Sequence, residues 1–279
     1  MRYMIAALML SLLTACASVE RLALPAPNPL QNQALTRAAN PPGTKVDHSD
    51  WSAFLSRYVS PDAQGVNRVA YVQVTQADRT RLDAYLNDLQ SVDPAMLTRR
   101  QHLAYWINLY NALTLGVVLD NYPVASIRDI TDGPLSFGPW DRPLAQVAGQ
   151  DLTLNDIEHR IIRPTFDEPR IHYALNCAAV GCPNLMDRAW QGNTLEEDFA
   201  AAERAYVNDP RGARFDDRGR LILSKIYIWF RGDFGDSEKA VIASIAQASE
   251  PDLKARLMEN PRVRAYRYNW ALNDAGAGS

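Results

Sequence analysis

A chain of 279 residues, 47% of them hydrophobic, has enough apolar side chain to bury a substantial core. Its net charge of −3 argues against the broad basic face that a nucleic-acid partner requires. No apolar run beyond the first twenty residues approaches a transmembrane length.

The chain opens with Met1-Arg2-Tyr3, runs apolar from Met4 to Leu13, and then reads Leu13-Thr14-Ala15-Cys16. A basic start, a short apolar region and small residues before a cleavage point make residues 1–15 a secretory signal peptide. Cysteine directly after Leu-Thr-Ala resembles the bacterial lipoprotein box, in which that cysteine is lipidated and becomes the first residue of the mature protein. The resemblance implies a membrane partner reached through acyl chains (palmitate among them) on Cys16. Each buried methylene contributes roughly 0.8 kcal/mol to that anchorage. Ala17 and Ser18 follow, with no aspartate at the second position, which by resemblance to sorted lipoproteins favours the periplasmic face of the outer membrane. Removing residues 1–15 takes one arginine and no acid, so −3 minus 1 leaves −4.

Residues 16–46 carry Leu24-Pro-Ala-Pro-Asn-Pro29 and Asn40-Pro-Pro-Gly43, a proline density that favours an extended tether. The folded part is expected over 47–273, with 274–279 as a flexible tail. Helical spacing places Trp51, Phe54, Leu55 and Tyr58 on a first helix over 48–58. Val66–Val74 reads as extended, and Asp78–Leu89 as a second helix. Leu97–Leu119 is the longest helical pattern and is apolar almost all round, which predicts a central buried helix. Asn108 and Asn111 share one of its faces. Buried amides are costly unless hydrogen-bonded, so they either pin neighbouring backbone or line a cavity.

Val147–Leu154 reads as a strand pair turning at Gly149. Asn155 is the expected N-cap of a helix Asp156–Ile162 that Pro164 stops. His172–Leu175 reads as a short strand opening into a loop at Gly181 and Pro183. Leu195–Tyr206 is the next helix, Arg214–Trp229 a hairpin, and Gly235–Ala248 and Pro251–Met258 further helices. The class is therefore α+β: a helix-rich domain with a small, mainly antiparallel sheet packed on the central helix.

The chemistry-bearing stretch is Arg170-Ile-His-Tyr-Ala-Leu-Asn-Cys-Ala-Ala-Val-Gly-Cys-Pro-Asn-Leu185. Nucleophilic catalysis needs a thiolate, a base in reach and a group to orient the base. Cys177 or Cys182 can supply the thiol, His159 or His172 the base, and Glu158, Asp187 or Asp233 the orienting carboxylate. Asn108 or Asn111 could act as an oxyanion donor or orienter. The competing reading is a structural disulfide between Cys177 and Cys182, which an extracytoplasmic location favours. The spacing of Cys177, Cys182, His172 and His159 matches no familiar zinc motif, and no phosphate loop or Gly-x-Ser-x-Gly elbow is present. Metal and cofactor are both read as none.

Several segments together resemble the domain-of-unknown-function 547 family. They are Tyr105-Trp-Ile-Asn-Leu-Tyr-Asn-Ala-Leu113, Leu152-Thr-Leu-Asn-Asp-Ile-Glu-His159, Arg170 to Cys177 with Cys182-Pro183, Ile226 to Phe234, and Tyr268 to Asn273. The resemblance puts Asn108, Asn111, Glu158, His159, His172, Cys177, Cys182 and Asp233 at family motif positions and brings no reaction with it. A fainter likeness is to transglutaminase-like and papain-like folds, where the nucleophilic cysteine opens a central helix. Ala104-Tyr105-Trp106 stands there without a thiol, so Cys177 would have to act from a different place. Two functions remain open. One is a thiol-dependent hydrolase or transferase acting on amide bonds in the periplasm. The other is a non-enzymatic protein that binds a peptide or glycan, such as peptidoglycan, with Cys177–Cys182 as a staple.

Overall fold

The computed structural model describes residues 28–40, 43–133, 137–259 and 261–276. The signal segment, Cys16 and the first part of the tether lie outside the described residues. Within the stretch read as one domain, the chain forms two compact units, Pro27–Phe199 with Asn269–Ser279, and a smaller one whose described residues are 200–259 and 261–268.

The larger unit is built from α1 (Gln33–Thr36), α2 (Ser49–Tyr58), the β1–β2 hairpin (Val59–Pro61, Asn67–Val69), α3 (Gln76–Ser91) and α4 (Arg99–Asn121). The β3–β4 hairpin (Ala145–Val147, Gln150–Leu152), a π-helical segment (Asp156–Ile162) and α5 (Arg163–Phe166) follow. α4 starts where Thr98 and Gln101 form a capping box. It is buried without a break from His102 to Val118, the all-round burial that its unpatterned apolarity predicts. α3 is tied to it by Tyr105, whose hydroxyl donates to the Leu89 carbonyl at 2.9 Å, and by Arg79, which donates to the Gly116 carbonyl at 2.9 Å.

The later part of the expected tether is packed. Leu35 is fully buried, Leu30 nearly so, and the Ala39 and Gly43 amides donate to the Leu97 and Met96 carbonyls. Two apolar side chains at the right spacing outweigh the prolines' preference for solvent. The expected flexible tail also begins later, since the Ala275 amide donates to the Val69 carbonyl at 2.9 Å.

The chain leaves the larger unit along α6 (Leu195–Val207). The smaller unit contains β5 (Ala213–Phe215), β6 (Leu221–Ser224), α7 (Ile226–Trp229), α8 (Arg231–Phe234), α9 (Glu238–Ala248), α10 (Pro251–Met258) and β7 (Val263–Arg267). β5 pairs antiparallel and β7 parallel with β6, so the expected hairpin is present but ends at Ser224. Ile226–Trp229 is helical. The α+β, helix-rich class stands, with the strands distributed over three small sheets.

Candidate active site

Two amides on α4 fix the loop that carries the cysteines. Asn108 donates from Nδ2 to the Trp190 carbonyl at 2.8 Å and accepts from the Trp190 amide at 3.0 Å. Asn111 donates to the Ala174 carbonyl at 3.0 Å and accepts from the Asn176 amide at 2.9 Å. Both residues are buried, so each hydrogen bond replaces a solvation lost on folding. Of the two roles open to them, pinning backbone is the one observed. Asn176 continues the work: its Nδ2 donates to the Pro183 carbonyl and its Oδ1 accepts from the Ala178 amide, both at 2.8 Å. One side chain thus holds the two ends of the loop together.

That closure brings the Cys177 and Cys182 sulfurs to 2.7 Å. No disulfide joins them, which corrects the expected bridge: the separation exceeds the roughly 2.05 Å of an S–S bond. The Cys177 amide donates to the Cys182 sulfur at 3.1 Å. Cys182 is buried and Cys177 half-buried, so Cys177 is the more accessible residue of the two. Ala178 holds φ at 58°, a left-handed conformation disfavoured for a residue with a β-carbon.

The carboxylate and one imidazole come from the preceding helical segment. Thr153, rather than Asn155, caps it: the Asp156 amide donates to Thr153 Oγ1 and the Asp156 carboxylate accepts from the Thr153 amide and hydroxyl. Pro164 does not stop it. The chain widens to π geometry over Asp156–Ile162 and continues as α5 through Pro164. Proline lacks the amide that would reach the Arg160 carbonyl four residues back, and its ring crowds that carbonyl. That carbonyl accepts instead from the Leu30 amide at 3.1 Å. Such π segments recur at functional sites.

Glu158 and His159 are neighbours on this segment and so point in different directions. The Glu158 carboxylate lies 3.8 Å from His172 Nδ1. His159 Nδ1 faces the Arg163 guanidinium at 3.2 Å. His172 sits in a 3-10 turn, Pro169–Tyr173, not in the expected strand. Pro169 and the Glu168 side chain, which accepts from the Arg170 amide, set that turn. Asp187 is exposed, and Asp233 belongs to the smaller unit.

Tyr110 completes the cluster from α4. Burial raises its phenol well above the ordinary value, followed by the negative charge of Glu158 and of the two cysteines, and its hydroxyl hydrogen-bonds Glu158. Tyr71 is similarly raised, by burial first, then by Asp274 and by Cys182 and Cys177. Both buried phenols thus respond to charge on the cysteine pair. Neither tyrosine stood out in the sequence, because an aromatic in an apolar run reads as core.

The last element is the segment 269–275, which runs beside the cysteine loop. Val180 and Gly181 donate to the Ala271 and Asn269 carbonyls at 2.8 Å, and the Asn273 amide donates to the Ala178 carbonyl at 2.9 Å. On its other side Val69 donates to the Asn273 carbonyl at 2.8 Å. Among the described residues no group of three His, Cys, Asp or Glu side chains is arranged to hold a metal.

A protein-family model described as "Protein of unknown function, DUF547" matches residues 94–207. No curated protein and no solved structure matches the chain.

Proposed function

The chain carries, over residues 94–207, a domain of the DUF547 family, and from that premise we propose that it is a thiol-dependent hydrolase or transferase acting on amide bonds in the cell envelope. The observation that carries this reading is the pairing of two features in one unit, the Cys177–Cys182 contact at 2.7 Å and the Glu158 carboxylate 3.8 Å from His172 Nδ1, with the buried Tyr110 phenol raised by the charge of Glu158 and of both cysteines. Buried polar groups concentrated this way belong to working sites more often than to scaffolds.

Cys177 is the nucleophile and His172 the base that takes its proton. Glu158, steadied by the Tyr110 hydroxyl, orients the imidazole. The sulfur adds to the carbonyl carbon, and collapse breaks the C–N bond while His172 returns the proton to the leaving amine. Water or a second amine then releases the acyl group. His159 is the less available of the two imidazoles, since its Nδ1 is engaged with Arg163. A lipid on Cys16 would hold the enzyme at the periplasmic face of the outer membrane, within reach of peptidoglycan peptides. Labelling with an alkyne palmitate that is lost in Cys16→Ser tests the anchor.

The enzyme reading is tested by incubating the protein with peptidoglycan-derived peptides and locating adducts by mass spectrometry. An acyl group on Cys177, absent in Cys177→Ser and strongly reduced in His172→Gln, is the expected result. The 2.7 Å sulfur contact favours one second reading, a non-enzymatic peptide- or glycan-binding protein whose two cysteines oxidise to a staple. Full oxidation of the pair in protein isolated from cells, with no adduct under any reducing condition, would select it.

A further inference from the structure

An acyl-transfer site needs a donor for the oxygen that becomes negative when the thiol adds, and the groups expected for this are engaged elsewhere. The Nδ2 atoms of Asn108 and Asn111 hold the Trp190 and Ala174 carbonyls. The two amides nearest the nucleophile are engaged as well: Cys177 N–H points at the Cys182 sulfur and Ala178 N–H at Asn176 Oδ1.

Asn273 is different. It is 1% exposed, and its Nδ2 has no hydrogen-bond partner. A buried donor left unmet is unfavourable, and native proteins keep few of them without a reason. Its position is fixed at three points. The backbone amide donates to the Ala178 carbonyl, one residue past Cys177, and the backbone carbonyl accepts from Val69. The side-chain Oδ1 accepts from the Tyr71 hydroxyl at 2.8 Å. Because Tyr71 occupies the oxygen end of the amide, the NH2 end is turned away from it. Tyr71 itself is close enough to feel the charge of both cysteines. The donor is therefore buried and oriented, on a residue whose backbone is bonded to the one that follows Cys177.

We infer that Asn273 Nδ2 holds the carbonyl oxygen of the bond attacked by Cys177, and that Tyr71 positions it. The inference rests on the thiol-enzyme reading and adds to it a fixed donor that strengthens as charge moves onto oxygen. When sulfur bonds to the carbonyl carbon, the C=O electron pair moves to oxygen and is met by this N–H. When the C–N bond breaks, the pair returns and the hydrogen bond weakens.

The test compares two reactions of Cys177 in the purified full chain. Acylation by p-nitrophenyl acetate passes through an oxyanion, whereas alkylation by iodoacetamide does not. Asn273→Leu is expected to slow acylation about 10²-fold with alkylation within about twofold of wild type, and Tyr71→Phe to slow acylation by about tenfold. Equal acylation in Asn273→Leu and wild type overturns the inference. A wild-type Cys177 that alkylates but never acylates overturns the thiol-enzyme reading instead, and the inference with it. Should Asn273→Leu fail to fold, the native protein decides by NMR. A small aldehyde forming a hemithioacetal on Cys177 should move the Asn273 side-chain amide proton downfield, and an unmoved resonance overturns the inference.

Discussion

Asn108 and the backbone of Trp190 form a two-point clamp, with donor to carbonyl at 2.8 Å and acceptor to amide at 3.0 Å, both buried. Truncating the amide strands a carbonyl and an N–H in dry interior at once. Asn108→Ala is expected to destabilise the fold by about 2–4 kcal/mol. Asn111→Ala, which strands the Ala174 carbonyl and the Asn176 amide, should have a similar effect. Urea denaturation read by tryptophan fluorescence measures both. A loss below about 1 kcal/mol would mean that water or a neighbour satisfies the stranded groups.

Acid sensitivity should appear above the carboxylate range. Burial lowers both His48 and His102 from 6.5 to about 4, the neighbouring Asp47 opposing the effect at His48. The unfolded chain therefore binds more protons than the native one between pH 6.5 and 4. Stability contributed by the neutral rings is complete above pH 6.5 and is lost progressively as pH falls toward 4. Each ring accounts for about 1–2 kcal/mol between pH 7 and 5. His48→Gln and His102→Gln should each flatten the decline in denaturation midpoint over that interval. Asp78, lowered chiefly by hydrogen bonds from Tyr58 and Thr75 with Arg57 behind them, adds its own loss only at more acidic pH. An unchanged slope in both variants would refute the assignment.

The sulfur pair should close readily. At 2.7 Å apart, Cys177 and Cys182 need little backbone movement to reach bonding distance. Mild oxidation with diamide is expected to protect both from alkylation, and dithiothreitol to restore reactivity, with circular dichroism unchanged throughout. Oxidation accompanied by loss of helical signal would show that the loop resists the bond.

A stabilising change is available far from the site. In the turn joining β3 and β4, Ala148 has φ 49° and Gly149 φ 74°, the two positive angles of a type I′ hairpin turn. Glycine adopts this at no steric cost and alanine does not. Ala148 is exposed, so Ala148→Asn should raise stability by about 0.5–1 kcal/mol, visible as a higher melting temperature.

The parts of the fold that sequence made legible are those governed by local pattern. The buried helix expected over 97–119 is observed as Arg99–Asn121, and the turn at Gly149 falls where glycine requires it. The site was half visible: His172, Cys177, Cys182 and Glu158 carry reactive groups and so attracted notice. Asn273 and Tyr71 did not, because their roles depend on pairings across about two hundred positions of chain, such as the 2.8 Å bond between them. The π segment was hidden for a related reason. Its apolar pattern reads as helix, while its widening depends on Pro164 and on the Leu30 amide, which donates to the Arg160 carbonyl from 130 positions earlier in the chain.

That widened turn also constrains how the molecule can vary. Deleting one residue between Asp156 and Ile162 would let the segment relax to ordinary α geometry, a gain by local criteria. The flanks would keep nearly their present register, because the wide turn absorbs the one residue that an α-helix would not. But a residue displaced by one position inside the segment would turn by about 100°, and a deletion just before Glu158 would carry it away from the imidazole it faces. Length, more than composition, is what this stretch of chain must preserve.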